Sequence, residues 1–249
     1  MSTETAVQQN NISIALIGYG KMGKAIEQIL LQRHHQANLK IDISNLDQFT
    51  PENLRNCDVA IEFTGPETAP DNMLRCLKAG IPVVSGSTGW LARWDEITEA
   101  CKENNGTLLY ASNFSIGVNI FFEINKQLAK LMNPHSNYEV GIKEIHHTAK
   151  KDAPSGTAIT LAEGIIDALD RKNAWVKLQS PAANEIEIVS ERIDPAPGTH
   201  IITYHSAVDD IEITHTAHSR EGFALGAVLA AEFVVGKKGI FNMKDVLGI

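Results

Sequence analysis

Cysteine is scarce in this chain: Cys57, Cys76 and Cys101 are the only three in 249 residues. None belongs to a CxxC pair, so a disulfide framework is not expected, and reduced thiols in a cytoplasmic protein are. No apolar run is long enough to cross a membrane, and no charged-then-apolar leader precedes the first apolar stretch. The opening MSTETAVQQN is polar and reads as a disordered lead-in. A surplus of basic residues is missing too. Lys and Arg number 22 against 30 Asp and Glu, a formal net charge of −8, which argues against nucleic acid or an anionic membrane as partner. Internal repeats and low-complexity tracts are absent. What is there is ordinary globular composition, 43% hydrophobic and 21% charged, in a length that accommodates one large domain or two smaller ones with real cores.

Along the chain, short apolar runs alternate with helical patterns. Strands are expected at 12–17, 39–43, 58–63, 81–84 and 107–110, and helices from after Gly23 to about Arg33, from 66 to 79 and from 90 to 104. A capped helix start falls at Thr50-Pro51. Such alternation predicts an α/β fold with a Rossmann-type doubly wound parallel sheet. After Asn113 the rhythm changes. A helix over 117–132 is followed by extended stretches at 138–147, 184–193, 199–207 and 209–218, the last two close enough for a hairpin. This reads as a second, α+β domain with a mixed or antiparallel sheet. The apolar, Ala-rich stretch 220–235 then returns to the first domain. The expected division is 1–116 plus 220–249 for dinucleotide binding and 117–219 for the second domain, with hinges at 113–119 and near Arg220.

Gly18-Tyr19-Gly20-Lys21-Met22-Gly23 follows the first strand and opens a helix. In that setting Gly18 permits the tight turn, Gly20 lets the backbone approach a pyrophosphate, and Gly23 allows close helix–strand packing. Asp42, about 20 residues further on, is placed to bind an adenosine ribose. Ile43, Ser44 and Asn45 follow it with no Arg or Lys. That favours NADH over NADPH, with Arg33 and Lys40 left as alternative sources of charge. Gly86-Ser87-Thr88-Gly89 and Ala111–Asn119 follow the fourth and fifth strands, at the carboxyl edge where ligands bind in open α/β sheets.

The densest chemistry lies in Glu144-Ile-His-His-Thr-Ala-Lys-Lys-Asp-Ala-Pro-Ser-Gly-Thr-Ala158. His146, His147, Lys150 and Lys151 bring proton donors and positive charge beside Ser155-Gly156-Thr157. That turn runs into an apolar helical pattern, and a helix start is a seat for an anion. The combination reads as a site that grips a carboxylate and delivers a proton. His215 and His218 raise the question of a metal site with His146 or His147, but neither cysteine nor carboxylate spacing supports one, and no metal is expected. His34-His35 reads as a solvated pair past a helix end.

From Ile12 to Leu247 the chain resembles the dihydrodipicolinate reductase family of lysine and diaminopimelate biosynthesis. The most specific block is His146-His147, Lys150 and Asp152–Ala158. The Gly18–Gly23 loop, Glu62-Phe63-Thr64, Gly86–Gly89, Asn113–Asn119 and Ile213–Arg220 support it. The resemblance implies reduction of the cyclic imine dicarboxylate 4-hydroxy-tetrahydrodipicolinate by NADH or NADPH, with loss of water, in a cytoplasmic homotetramer built through the second domain. By position it implies His146 as acid/base, Lys150 as proton donor, and His147, Gly156 and Thr157 as substrate-binding. It places Gly18–Gly23, Asp42, Phe63, Gly86, Ser87, Thr88, Ala111, Ser112, Asn113 and Phe114 around the cofactor. Ser87 stands where many members carry threonine and Ser112 where proline is common. Another two-domain dehydrogenase, such as an aspartate dehydrogenase, would share the glycine loop without needing the His-His-Lys block. A non-enzymatic NAD(H) sensor would need no proton donor beside an anion seat.

Overall fold

The computed structural model describes residues 11–177, 181–219 and 221–249. The expected lead-in over 1–10 and Arg220, expected near a hinge, therefore lie outside the described residues. In chain order the first elements are β1 (Ser13–Ile17), α1 (Lys21–Gln32), β2 (Gln36–Ile41), α2 (Pro51–Leu54), β3 (Val59–Glu62), α3 (Ala69–Lys78), β4 (Val83–Ser85), α4 (Trp94–Glu103) and β5 (Thr107–Tyr110). Next come α5 (Ile116–Met132), β6 (Glu139–His146), α6 (Gly156–Ile166), β7 (Ala174–Val176), β8 (Glu185–Arg192), β9 (Gly198–His205) and β10 (Asp210–Ala217). The last are α7 (Glu221–Val234), β11 (Gly239–Phe241) and α8 (Met243–Leu247). The chain divides into two compact units, one running to Phe114 and resuming over Phe223–Ile249, the other Ser115–Gly222. Among the described residues no helix is long and apolar enough to cross a membrane.

The first unit holds a six-stranded sheet in the order β11-β5-β4-β3-β1-β2, with every pairing parallel. From β1 the chain steps to β2 on one side and to β3 on the other. That reversal opens a crevice beyond the carboxyl ends of the strands. Alternate residues of β1 feed two cores. Ile14 and Leu16 pack with Leu30, Ala227, Val228 and Ala231, and Ala15 and Ile17 pack with Met73, Leu77, Ile97 and Leu108. Each fully buried Leu or Ile contributes about 1.5–3 kcal/mol. The helix boundaries follow their punctuation. Thr50 accepts a hydrogen bond from the Asn53 N–H with Pro51 at the first helical position, and Gly80, at φ 81°, follows α3.

Three features depart from expectation. The second strand begins at Gln36 rather than Leu39, because the Gln36 N–H donates to the Ile12 carbonyl at 3.1 Å and an edge strand pairs without needing apolar side chains. The β11 strand, paired with β5, and α8 are too short to show a period and were not anticipated. His35 is buried, not solvated. Its Nδ1 accepts the Ile12 N–H at 3.3 Å and its Nε2 lies 2.8 Å from Glu232 Oε1, on α7. Arg33 forks onto the same carboxylate at 2.6 and 2.9 Å. Cys57, Cys76 and Cys101 are free and buried in this unit.

The second unit holds a five-stranded sheet, β10-β9-β6-β8-β7. β9 runs antiparallel to both β10 and β6, while β8 runs parallel to β6 and β7, so the sheet is mixed. Burial along β6 alternates strictly. Val140 and Ile142 pack with Phe121, Ala129, Leu161 and Ile165 from α5 and α6. Glu144 and His146 continue that same face, which places two polar side chains at the end of an apolar layer.

Candidate active site

In the first unit, a cavity of about 920 Å³ opens at the reversal of strand order. Gly18, Tyr19, Gly20, Asp42 and Phe63 line it. At Gly18, with φ 95°, a Cβ would lie 2.1 Å from the Phe63 carbonyl oxygen, so the turn admits only glycine. At Gly20 a Cβ would meet nothing within 4 Å, so the backbone there faces open space, as close approach of a diphosphate requires. A Cβ on Gly23 would lie 2.6 Å from the Gly18 carbonyl oxygen, which holds α1 tight under the loop. The Asp42 carboxylate accepts the Ser44 N–H and hydroxyl at 2.7 and 2.6 Å. Those bonds hold its pKa below the usual carboxylate value.

The remaining expected cofactor residues do not line this cavity; Gly86, Ser87 and Phe114 contact the Phe63 and Thr64 that do. Lys21 and Met22 begin α1. A Cβ on Gly86 would strike the Phe63 ring at 2.2 Å, and that ring packs 5.6 Å from Phe114. Ser87 is buried, and Thr88 and Ser112 are exposed; Ala111 and Phe114 belong to the core, with Asn113 half-buried. One buried carboxylate orders two of these loops. Glu62 accepts the Thr64 N–H at 2.8 Å and the hydroxyls of Ser85 and Ser87 at 2.7 and 2.9 Å. Of the alternative basic groups, Arg33 is bound to Glu232 and Lys40 to Glu27. Arg75, which also lines the cavity, sits 5.3 Å over the Phe49 ring. Phe49 and Arg75 carry no local motif; they reach the cavity only through the packing of α2 and α3.

In the second unit, His146 ends β6 and is buried, while His147 is half-buried just beyond it. Lys150 pairs with Asp152, its Nζ 2.8 Å from both carboxylate oxygens. Ser155 caps α6, its hydroxyl accepting the Ala158 N–H at 3.2 Å. Gly156 and Thr157 are therefore the first helical residues, at the positive end of the dipole. At Gly156 a Cβ would meet nothing within 4 Å. His146, His147, Lys150 and the helix start thus occupy one end of the second unit. His215 pairs with His200 across β10 and β9, its ring 5.8 Å from Phe121, and His218 is exposed.

Glu144 and His200 complete this cluster. Register pairs them across β6 and β9, and pairs His146 with Arg192 across β6 and β8. Glu144, fully buried, accepts the Ser155 N–H and an Arg192 N–H, each at 3.1 Å. Burial alone would raise its pKa, but the surrounding His146, Ser155, Ser190 and Arg192 outweigh it and hold the group ionised. Burial and the neighbouring His146 push His200 down from 6.5 to about 4. Glu144 and His146 share a strand face at period two, so a local signal for Glu144 existed. His200 and Arg192 enter only through register.

The lowered His200 has a consequence for stability. In the unfolded chain the imidazole takes up its proton near pH 6.5, in the folded chain only near 4. Between those values the unfolded state binds more protons, so stability is lost as pH falls through that window. The expected loss from this group is about 2 kcal/mol at pH 5. Urea unfolding at pH 7 and pH 5 checks it: the difference should shrink by about that amount in His200→Gln, and an unchanged difference would reject the assignment.

A family model described as dihydrodipicolinate reductase, N-terminus, matches residues 12–114, and one described as dihydrodipicolinate reductase, C-terminus, matches 117–247. A 4-hydroxy-tetrahydrodipicolinate reductase of Christiangramia forsetii is 50% identical over 238 residues, covering 95% of this chain and 98% of the relative. One from Methanosarcina barkeri is 37% identical over 212 residues, covering 84% and 79%. Among solved structures, a dipicolinate-bound dihydrodipicolinate reductase from Paenisporosarcina sp. TG-14 superposes with a TM-score of 0.75 at 22% identity, covering 94% of this chain and 98% of that one; this likeness concerns the fold. With both halves matched and a relative identical at half its positions, the chain belongs to the dihydrodipicolinate reductase family.

Proposed function

We propose that His146, Lys150 and the start of α6 form the substrate side of an enzyme that reduces 4-hydroxy-tetrahydrodipicolinate with a nicotinamide cofactor. The chain is an NAD(P)H-dependent oxidoreductase, and its reaction is the reduction step of lysine and diaminopimelate biosynthesis. The observation that carries the division of roles is the placement of His146, His147, Lys150 and the Ser155-capped helix start at one end of the second unit.

When bound, the nicotinamide supplies the hydride. Gly18 and Gly20 would give its diphosphate a close backbone seat, and Asp42 would accept hydrogen bonds from the adenosine ribose. In the second unit, backbone N–H groups of Gly156 and Thr157 receive a substrate carboxylate, and His147 helps hold it. Loss of water leaves the substrate a conjugated C=C–C=N system. Reduction at its distal carbon leaves an enamine that must be protonated on carbon. His146 delivers that proton and recovers one from solvent, as a general acid within reach of the reacting carbon does. The Lys150 ammonium donates toward the ring nitrogen and stabilises charge developing there.

NADH is the preferred cofactor. Asp42 presents an ionised carboxylate where a 2′-phosphate would lie, and Arg33 and Lys40 are already committed to Glu232 and Glu27. Following absorbance with freshly generated substrate tests both claims. Turnover is expected, with kcat/KM on the order of tenfold higher for NADH, a difference of about 1.4 kcal/mol. Absence of turnover would reject the reaction, and a clear preference for NADPH would reject the cofactor assignment alone. We infer a cytoplasmic homotetramer assembled through the second unit, a reading supported by the three buried free thiols and by the half-exposed outer face of the five-stranded sheet.

A further inference from the structure

One carboxylate in the second unit has no role in the chemistry described so far, yet it contacts both His146 and the cap of α6. Glu144 is wholly buried, and its two oxygens do different things. Oε1 accepts the Ser155 N–H and the Arg192 guanidinium, each at 3.1 Å. Arg192 in turn donates to the Asp152 carbonyl at 2.6 Å, and Asp152 carries the Lys150 ammonium. Oε2 lies 3.1 Å from His146 Nδ1 and 3.9 Å from His200 Nε2. The contact with His146 is close but off the hydrogen-bond axis. Among the described residues, both Oε2 and Nδ1 are buried atoms that make no hydrogen bond. A buried acceptor and a buried ring nitrogen, each otherwise unsatisfied and 3.1 Å apart, are one small ring rotation from satisfying each other.

Glu144, His146 and His200 also have the spacing of a cation site, their ligand atoms lying within 4.8 Å. The guanidinium and the N–H already on Oε1 oppose a cation there and make the carboxylate a hydrogen-bonded hub. On the far side of the ring, Gly198 makes room: a Cβ at that residue would come within 3.0 Å of His146 Nε2.

We propose that Glu144 is a positioning residue for proton transfer. Its carboxylate accepts a hydrogen bond from the Nδ1–H of His146, which leaves Nε2 as the atom that exchanges a proton with substrate, and the same carboxylate holds the first N–H of the α6 cap. Proton donor and anion seat are thereby fixed to one anchor. This rests on the reading of His146 as the acid/base residue. It adds that the ring works in one tautomer and one orientation, set from behind, as geometric control of a proton donor demands.

A double-mutant cycle on the full chain tests it. Glu144→Gln keeps the shape and an acceptor for the Ser155 N–H but removes the charge facing Nδ1. In the otherwise unchanged enzyme it should lower kcat about 10- to 100-fold, with KM for NADH unchanged. In the His146→Ala background the same substitution should lower the residual kcat by less than about threefold, because the carboxylate acts through the ring. An equal loss in both backgrounds, or none in either, overturns the proposal while leaving the role of His146 intact. Near-normal turnover of His146→Ala itself overturns that role, and this inference with it. If Glu144→Gln does not fold, Glu144→Asp, which keeps the charge but withdraws it from the ring, is read by the same cycle and the same outcomes.

Discussion

Replacing His146 by alanine lowers kcat about 10²- to 10⁴-fold, the range a positioned general acid contributes, while NADH still binds. On the proposed roles the loss falls on kcat, because the imidazole would act on the enamine and not on the nucleotide, whose proposed seat at Gly18, Gly20 and Asp42 belongs to the other unit. Lys150→Ala lowers kcat as well, and the two losses combine by less than their product, since both groups serve one transition state. Absorbance kinetics on the three variants, with NADH binding read by fluorescence on the same preparations, checks the assignment. Near-normal kcat in both single variants would sink it.

The largest expected effect on stability lies at Gly226, in the middle of α7. Alanine in a helix interior ordinarily gains about 1 kcal/mol over glycine. Here a Cβ would lie 1.7 Å from the Phe114 carbonyl oxygen and 2.7 Å from its carbonyl carbon. The obstacle is backbone, which no side-chain rotation relieves. Overpacking costs about 1–3 kcal/mol even where side chains can shift, so Gly226→Ala should be destabilised by about 3 kcal/mol, a fall in Tm of about 6–12 °C for a chain of this length. Gly222, in the first turn of the same helix, is the control: a Cβ there meets only Ser115 Oγ at 3.7 Å, and alanine should leave Tm unchanged or slightly raised. Equal Tm values for the two variants would refute the steric account.

Much of the architecture was legible because period and punctuation agree. The buried run at β1, the glycine turn after it and the Thr50-Pro51 cap all lie where their residues indicate. The helix start at Ser155 was legible for the same reason, a small capping residue ahead of an apolar 3.6-period. What stayed hidden depends on contacts between distant segments. β11 has three residues and exists because β5 offers it an edge. His35 resembles any polar residue after a helix until Glu232 comes within 2.8 Å of it. His200 and Arg192 join the cluster around His146 through strand register alone. Glu144 occupies the middle ground: alternation puts it on the face of His146, yet nothing local reveals that its oxygens are divided between a helix cap and a ring.

The core beside β1 and α1 draws on Ile12 to Phe114 and again on Ala224 to Val234 and Met243. Synthesis proceeds from the amino end, so for most of translation the sheet lacks the α7 side of its packing and the strand that extends it past β5. Residues 115–222 emerge with all their own strands and helices before that gap can close. The first unit is thus begun before the second and resumed after it, and a ribosome stalled ahead of the codons for Phe223–Ile249 would hold a completed insert and an unsealed host.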